Sequence, residues 1–108
     1  MASTKEYLDY VLDQLSGLGD ITFRPMMGEY ILYYKGKIFG GIYDDRFLVK
    51  NISSARKVMP DAALELPYEG AKEMLSVTDP DDRDLLTRLV TEMYDELPIV
   101  KSRKKGKS

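Results

Sequence analysis

The sequence predicts an α+β domain of two layers: an antiparallel sheet of about five to six strands backed by an N-terminal and a C-terminal helix. Three observations carry this expectation. Apolar residues recur at helical spacing near both ends of the chain, the middle is rich in short strand-like runs, and small polar turns separate those runs.

At the start, Ser3 followed by Glu6 reads as a capping box that opens a helix. Tyr7, Leu8, Val11, Leu12 and Leu15 then form one apolar face, and Gly17 and Gly19 end it, because glycine enters the left-handed turn at low cost. From Ile21 the period becomes strand-like. Ile21 to Met26 is the first strand, and Pro25 marks it as an edge or an irregularity, since proline cannot donate to a ladder. Gly28 breaks it. Glu29 to Tyr34 and Lys37 to Tyr43 follow as strands joined around Gly36, and Asp44-Asp45 turns the chain into a fourth, Arg46 to Lys50. Both alternations of these strands are apolar, Ile31 and Tyr33 against Leu32 and Tyr34. The centre of the sheet is therefore expected to be covered on both faces, by a second layer or by a dimer partner.

Ser53-Ser54 caps a short helix through Met59, which Pro60 ends. Leu64 to Leu66 and Glu73 to Thr78 are the remaining strand candidates, with a turn at Pro67 to Gly70. The last helix has Asp79 at its N-cap, Pro80 at the first helical position and Asp81 and Asp82 facing the positive end of its dipole. Leu85, Leu86, Leu89, Val90, Met93, Tyr94 and Leu97 are its buried stripe, and Pro98 closes it.

At 108 residues, 44% hydrophobic and 31% charged, the chain is one ordinary globular domain over residues 1–98 with a basic, disordered tail over 99–108. It has neither cysteine nor histidine, which removes the thiolate nucleophile, the commonest general base and the commonest zinc ligands. The longest purely apolar run, Tyr30 to Tyr34, is far too short to cross a bilayer, and a cytoplasmic location is expected. The tail holds Lys101, Arg103, Lys104, Lys105 and Lys107. Taking these five from sixteen basic residues leaves eleven against eighteen acids, so residues 1–100 carry −7. An acidic body repels nucleic acid, and the tail reads first as a solvated end and second as a weak phosphate binder.

No catalytic residues, metal ligands or cofactor site are expected. Asp79, Asp81, Asp82 and Asp84 suit a helix N-terminus better than a magnesium site, and neither phosphate-loop spacing occurs. Gly40-Gly41 inside a strand marks a close approach, expected where a helix crosses the sheet. Arg24 beside Glu29 and Tyr30 is the best polar candidate. Its guanidinium either offers a fork to a carboxylate or phosphate, or makes an ion pair with Glu29 or an acid on the neighbouring helix, the reading to be preferred.

The segment Arg24-Pro25-Met26-Met27-Gly28-Glu29-Tyr30 through Phe39 to Phe47-Leu48-Val49-Lys50 resembles the N-terminal domain of the TfoX/Sxy competence regulators. There, Arg, a hydrophobic pair, Gly, one variable residue and Tyr lead into a hairpin. Met26-Met27 stands where the family usually has Met-Phe or Leu-Phe, which keeps the hydrophobic role without the aromatic ring. The resemblance runs from about Leu15 to about Tyr94 and implies a fold like the secretion chaperones. Full-length members promote competence-gene transcription with the cyclic-AMP receptor protein and carry a second, helical domain that this sequence lacks.

The expectation is thus a non-enzymatic regulatory domain that binds a protein partner, with transcription machinery and a second copy as candidates. Arg24, Met26, Met27, Gly28, Glu29 and Tyr30 form the expected contact patch, since polarisable and aromatic side chains suit adaptable interfaces. The alternatives are a nucleic-acid-associated regulator using the tail, and a small enzyme working without His or Cys.

Overall fold

Three two-residue turns determine how the front half of the chain folds. Met27-Gly28 (φ 52° and 87°), Lys35-Gly36 (51° and 82°) and Asp44-Asp45 (54° and 56°) all have positive φ at both positions. That is the requirement of the type I′ turn, whose twist matches the strands it joins. The turns link β1 (Ile21–Met26), β2 (Glu29–Tyr34), β3 (Lys37–Ile42) and β4 (Phe47–Val49) into a meander. The computed structural model describes residues 3–98. Within it, α1 (Lys5–Gln14) precedes the meander, and α2 (Ser53–Val58), β5 (Leu64–Glu65), β6 (Met74–Ser76) and α3 (Arg83–Tyr94) follow. The six strands form one antiparallel sheet in the order β1-β2-β3-β4-β6-β5, the α+β architecture expected. β1 is an edge strand, which accounts for its proline.

One face of the sheet carries the helices. Leu8 and Val11 of α1, Leu15 at its C-cap, and Leu86, Leu89, Val90 and Met93 of α3 close over Leu32, Tyr34, Phe39, Ile42, Phe47 and Val49, all buried. Each such side chain contributes about 1.5–3 kcal/mol. At the far end of α3 the Tyr94 ring meets Tyr34 edge-on at 5.5 Å, with the Lys37 ammonium 4.0 Å from its centroid. The opposite, outer face is covered only in part. Tyr43 folds back against Gly41, and Tyr68 packs on Tyr43 at 6.2 Å with buried Pro67 beside it. Over β1 and β2 the outer side chains Ile31 and Tyr33 stay half-buried.

Four local expectations need correction. The cap of α1 is Thr4, whose hydroxyl accepts from the Tyr7 amide at 3.2 Å, because Ser3 is taken up elsewhere. The cap of α3 is Asp82, accepting from the Leu85 amide at 3.0 Å, and Asp79-Pro80 belongs to the turn before it. Ser53 and Ser54 do not cap α2 themselves: Glu96, just past α3, accepts from Ser53 N at 3.3 Å, Ser53 Oγ at 2.9 Å and Ser54 N at 2.8 Å. Gly40 and Gly41 are not a helix crossing. A Cβ at Gly41 would lie 2.5 Å from the Tyr30 carbonyl oxygen and 2.8 Å from the Tyr43 ring, and one at Gly40 would meet the backbone of Leu48 and Val49. The close approach comes from neighbouring strands at a bulge, where Leu32 faces Gly40 but Tyr33 faces Ile38, leaving Phe39 extra.

Candidate functional site

Two hairpin tips, Met27-Gly28 and Asp44-Asp45, are fastened together by the start of the chain. The Ser3 amide donates to Gly28 O at 3.0 Å and to Glu29 Oε1 at 3.1 Å, and its hydroxyl donates to the same Oε1 at 2.6 Å. Glu29 Oε1 also accepts from the Asp44 amide at 3.1 Å. Ser3 Oγ accepts from the Asp45 amide at 3.1 Å, while Asp45 Oδ1 accepts from Thr4 N at 2.7 Å and Thr4 Oγ1 at 3.1 Å. Seven hydrogen bonds join six residues, so the end of the sheet that carries both tips is a braced platform.

Met27 stands on that platform. It is 96% exposed, and its φ of 52° is a conformation that asparagine or glycine adopts far more readily. A large apolar side chain held out in water on a strained turn has no packing reason to be there.

The alternation of the strands divides the expected patch. Arg24, Met26 and Glu29 lie on the outer face with Ile31, since Met26 pairs with Glu29 and Arg24 with Ile31. Tyr30 pairs with Pro25 on the helix side, where its ring meets Phe23 edge-on at 5.8 Å. Met27 and Gly28 form the tight turn that joins β1 to β2. Glu29 is committed to Ser3 and Asp44, so the ion pair expected for Arg24 does not form with it. Among the described residues the ion pairs are Lys5–Asp9, Arg46–Glu65 and Arg83–Asp13, and Arg24 is in none of them.

Sequence reasoning missed a cleft of about 680 Å³ on the outer face, walled by Tyr43, Pro67 and Tyr68 and rimmed by Lys50 and Lys72. The glycine pair was its one signal, because Gly41 is what lets the Tyr43 ring lie flat on the strand. Burial pushes the Tyr43 phenol above its ordinary value, reinforced by Tyr68 and the Glu29 charge. The phenol is therefore neutral at physiological pH. Burial likewise raises Tyr7, helped by Asp45 and Asp81 and opposed by a backbone hydrogen bond with Phe47.

The acidic run before α3 divides its labour as a helix start does: Asp82 caps, Asp81 accepts from the Tyr10 hydroxyl, and Asp84 lies in the first turn. No group of three His, Cys, Asp or Glu among the described residues is placed to hold a metal ion. No helix among them is long and apolar enough to cross a membrane. The basic tail, Lys101 to Lys107, lies outside the described residues.

The family model of the TfoX N-terminal domain matches residues 13–96. A curated relative, an uncharacterized 12.7 kDa protein in the trpE 5′ region of Spirochaeta aurantia, is 33% identical over 73 residues. The match covers 68% of this chain and spans 64% of the relative's length. No solved structure matches the chain.

Proposed function

Since the chain belongs to the TfoX N-terminal domain family, we propose that it is a regulatory domain without catalytic chemistry, acting by docking a protein partner at its braced hairpin tips. Met27 carries the reading. Its exposure and its positive φ are both unfavourable for the free protein, and both become useful if a partner pocket receives the side chain. Thioether side chains adapt to irregular pockets, and the Ser3–Glu29–Asp45 brace holds the tip still, which lowers the ordering cost of binding. Met26 and the half-buried Ile31 extend the apolar surface along the outer face. The partner in this reading belongs to the transcription machinery of competence genes, in the cytoplasm.

A photoreactive amino acid placed at position 27 in the host cell tests this, with the same group at exposed Arg88 on α3 as the control. A discrete adduct with one protein from position 27 alone is the expected result. The same adducts from both positions, or none from position 27, would overturn it.

A further inference from the structure

We propose that two copies of this chain associate through their β1 edges, paired antiparallel about a two-fold axis at Phe23, so that two six-stranded sheets become one. This goes beyond the docking role of the Met27 tip and uses a different surface.

The backbone of β1 settles which groups are free. Lys35 N donates to Asp20 O at 3.0 Å, and the β1–β2 register continues in step from that pair. Asp20, Thr22, Arg24 and Met26 therefore turn their backbone groups toward β2, and Ile21, Phe23 and Pro25 turn theirs outward. Pro25 occupies a position whose missing N–H would have pointed away from the sheet. The outward donors and acceptors of Ile21 and Phe23, with the Pro25 carbonyl, form a short unpaired edge.

A second β1 satisfies this edge better than an arbitrary strand does. About an axis at Phe23, each Phe23 exchanges both hydrogen bonds with its copy, and each Ile21 amide donates to the opposite Pro25 carbonyl. The side chains agree as well. A groove of about 520 Å³ runs between α1 and β1, walled by Leu12, Leu15, Ile21 and Phe23. Phe23, which is 40% exposed, lies on the helix side, so in the pair each Phe23 enters the groove of the other copy. On the outer face Arg24 comes opposite Thr22 of the second copy, with Arg24 of that copy one diagonal step to one side and Asp20, just ahead of the strand with φ 54°, one step to the other, so the long side chain turns from the like charge to the carboxylate. Neither Arg24 nor Asp20 is in any ion pair among the described residues, and the two-fold axis makes the complementary pair twice.

The contact is short, so association on the order of micromolar is expected. Sedimentation equilibrium of the full chain over a concentration series reads it directly, together with amide exchange at Ile21 and Phe23. A monomer–dimer equilibrium is expected, with both amides becoming protected as concentration rises. Phe23→Pro removes the central outward N–H without touching the β1–β2 ladder, and Arg24→Glu sets like charge near Asp20. Each should weaken association at least about tenfold. Adding Asp20→Lys to Arg24→Glu exchanges the charges and should restore it, and Lys35 shows that lysine accepts the φ that Asp20 holds. A chain monomeric at every concentration overturns the proposal. So does a dimer that Arg24→Glu leaves unchanged, or one in which the Ile21 and Phe23 amides exchange equally at all concentrations.

Discussion

The hydroxyl of Ser3 donates to the Glu29 carboxylate at 2.6 Å, across 26 residues, and so binds the start of the chain to the tip of the first hairpin. The bond is charge-assisted and its acceptor oxygen takes two further amides, Ser3 N and Asp44 N. Ser3→Ala and Glu29→Ala should each lower stability by about 1–2 kcal/mol in urea unfolding. Because the two act in one network, the double variant should cost about 1 kcal/mol less than the sum of the singles. Strict additivity would mean that the platform is not a cooperative unit.

Glycine substitutions separate two kinds of position in this chain. Gly41→Ala puts a methyl group 2.5 Å from the Tyr30 carbonyl, so either β2 and β3 separate or Tyr43 leaves its place. A loss of about 3 kcal/mol or more is expected. Gly17→Ala meets nothing within 4 Å and has no positive φ, so it should be neutral or stabilising by a few tenths of a kcal/mol. Thermal unfolding of the two variants side by side decides the matter.

Most of the fold was legible because most of its signals are local. Strand ends are announced by Gly28, Gly36 and the Asp44-Asp45 pair, and Pro25 correctly marks an edge. What was not legible involves partners distant in sequence. The Ser3–Glu6 capping box is consistent on its own terms, yet Glu29 competes for Ser3 and wins by offering a charged acceptor. Ser53 and Ser54 look like caps, but Glu96 arrives from 42 or more residues away and accepts from both amides. The expected Arg24–Glu29 pair fails for the same reason. The site residues shared a segment but not a face: Tyr30 and Arg24 are divided by the two-residue period of a strand, a consequence that the alternation itself contains.

The pH dependence of stability should carry the signature of Glu96. Hydrogen bonds from the Ser54 amide and from the Ser53 hydroxyl and amide hold its carboxyl at about 2, below the ordinary 4.5. A depressed folded-state value means that the contribution is fully present above pH 4.5 and is lost as pH falls toward 2. Glu65, lowered chiefly by its hydrogen bond to Arg46, acts in the same direction. Glu96→Gln should therefore flatten the acid limb of a stability–pH curve between those limits, with less effect near neutrality on its slope than on its height. An unchanged acid limb would place the capping of α2 elsewhere.

Met27 sets stability against recognition, and one substitution tests both. The type I′ turn asks for asparagine ahead of Gly28, and Met27 holds its φ of 52° without that residue's tolerance for it. Met27→Asn should relieve the strain and raise stability by about 0.5–1 kcal/mol, since no buried contact is lost from a side chain 96% exposed. If the tip docks a partner, the same variant should bind that partner at least about tenfold more weakly, because a desolvated anchor is replaced by a short polar group. Stability gained together with binding lost is the trade expected of a functional residue, and neither effect implies the other. Denaturant unfolding supplies the first quantity, and titration against the partner captured at position 27 supplies the second. A stabilised variant with undiminished binding would reduce Met27 to an accident of the turn and move the search to the Tyr43–Tyr68 cleft.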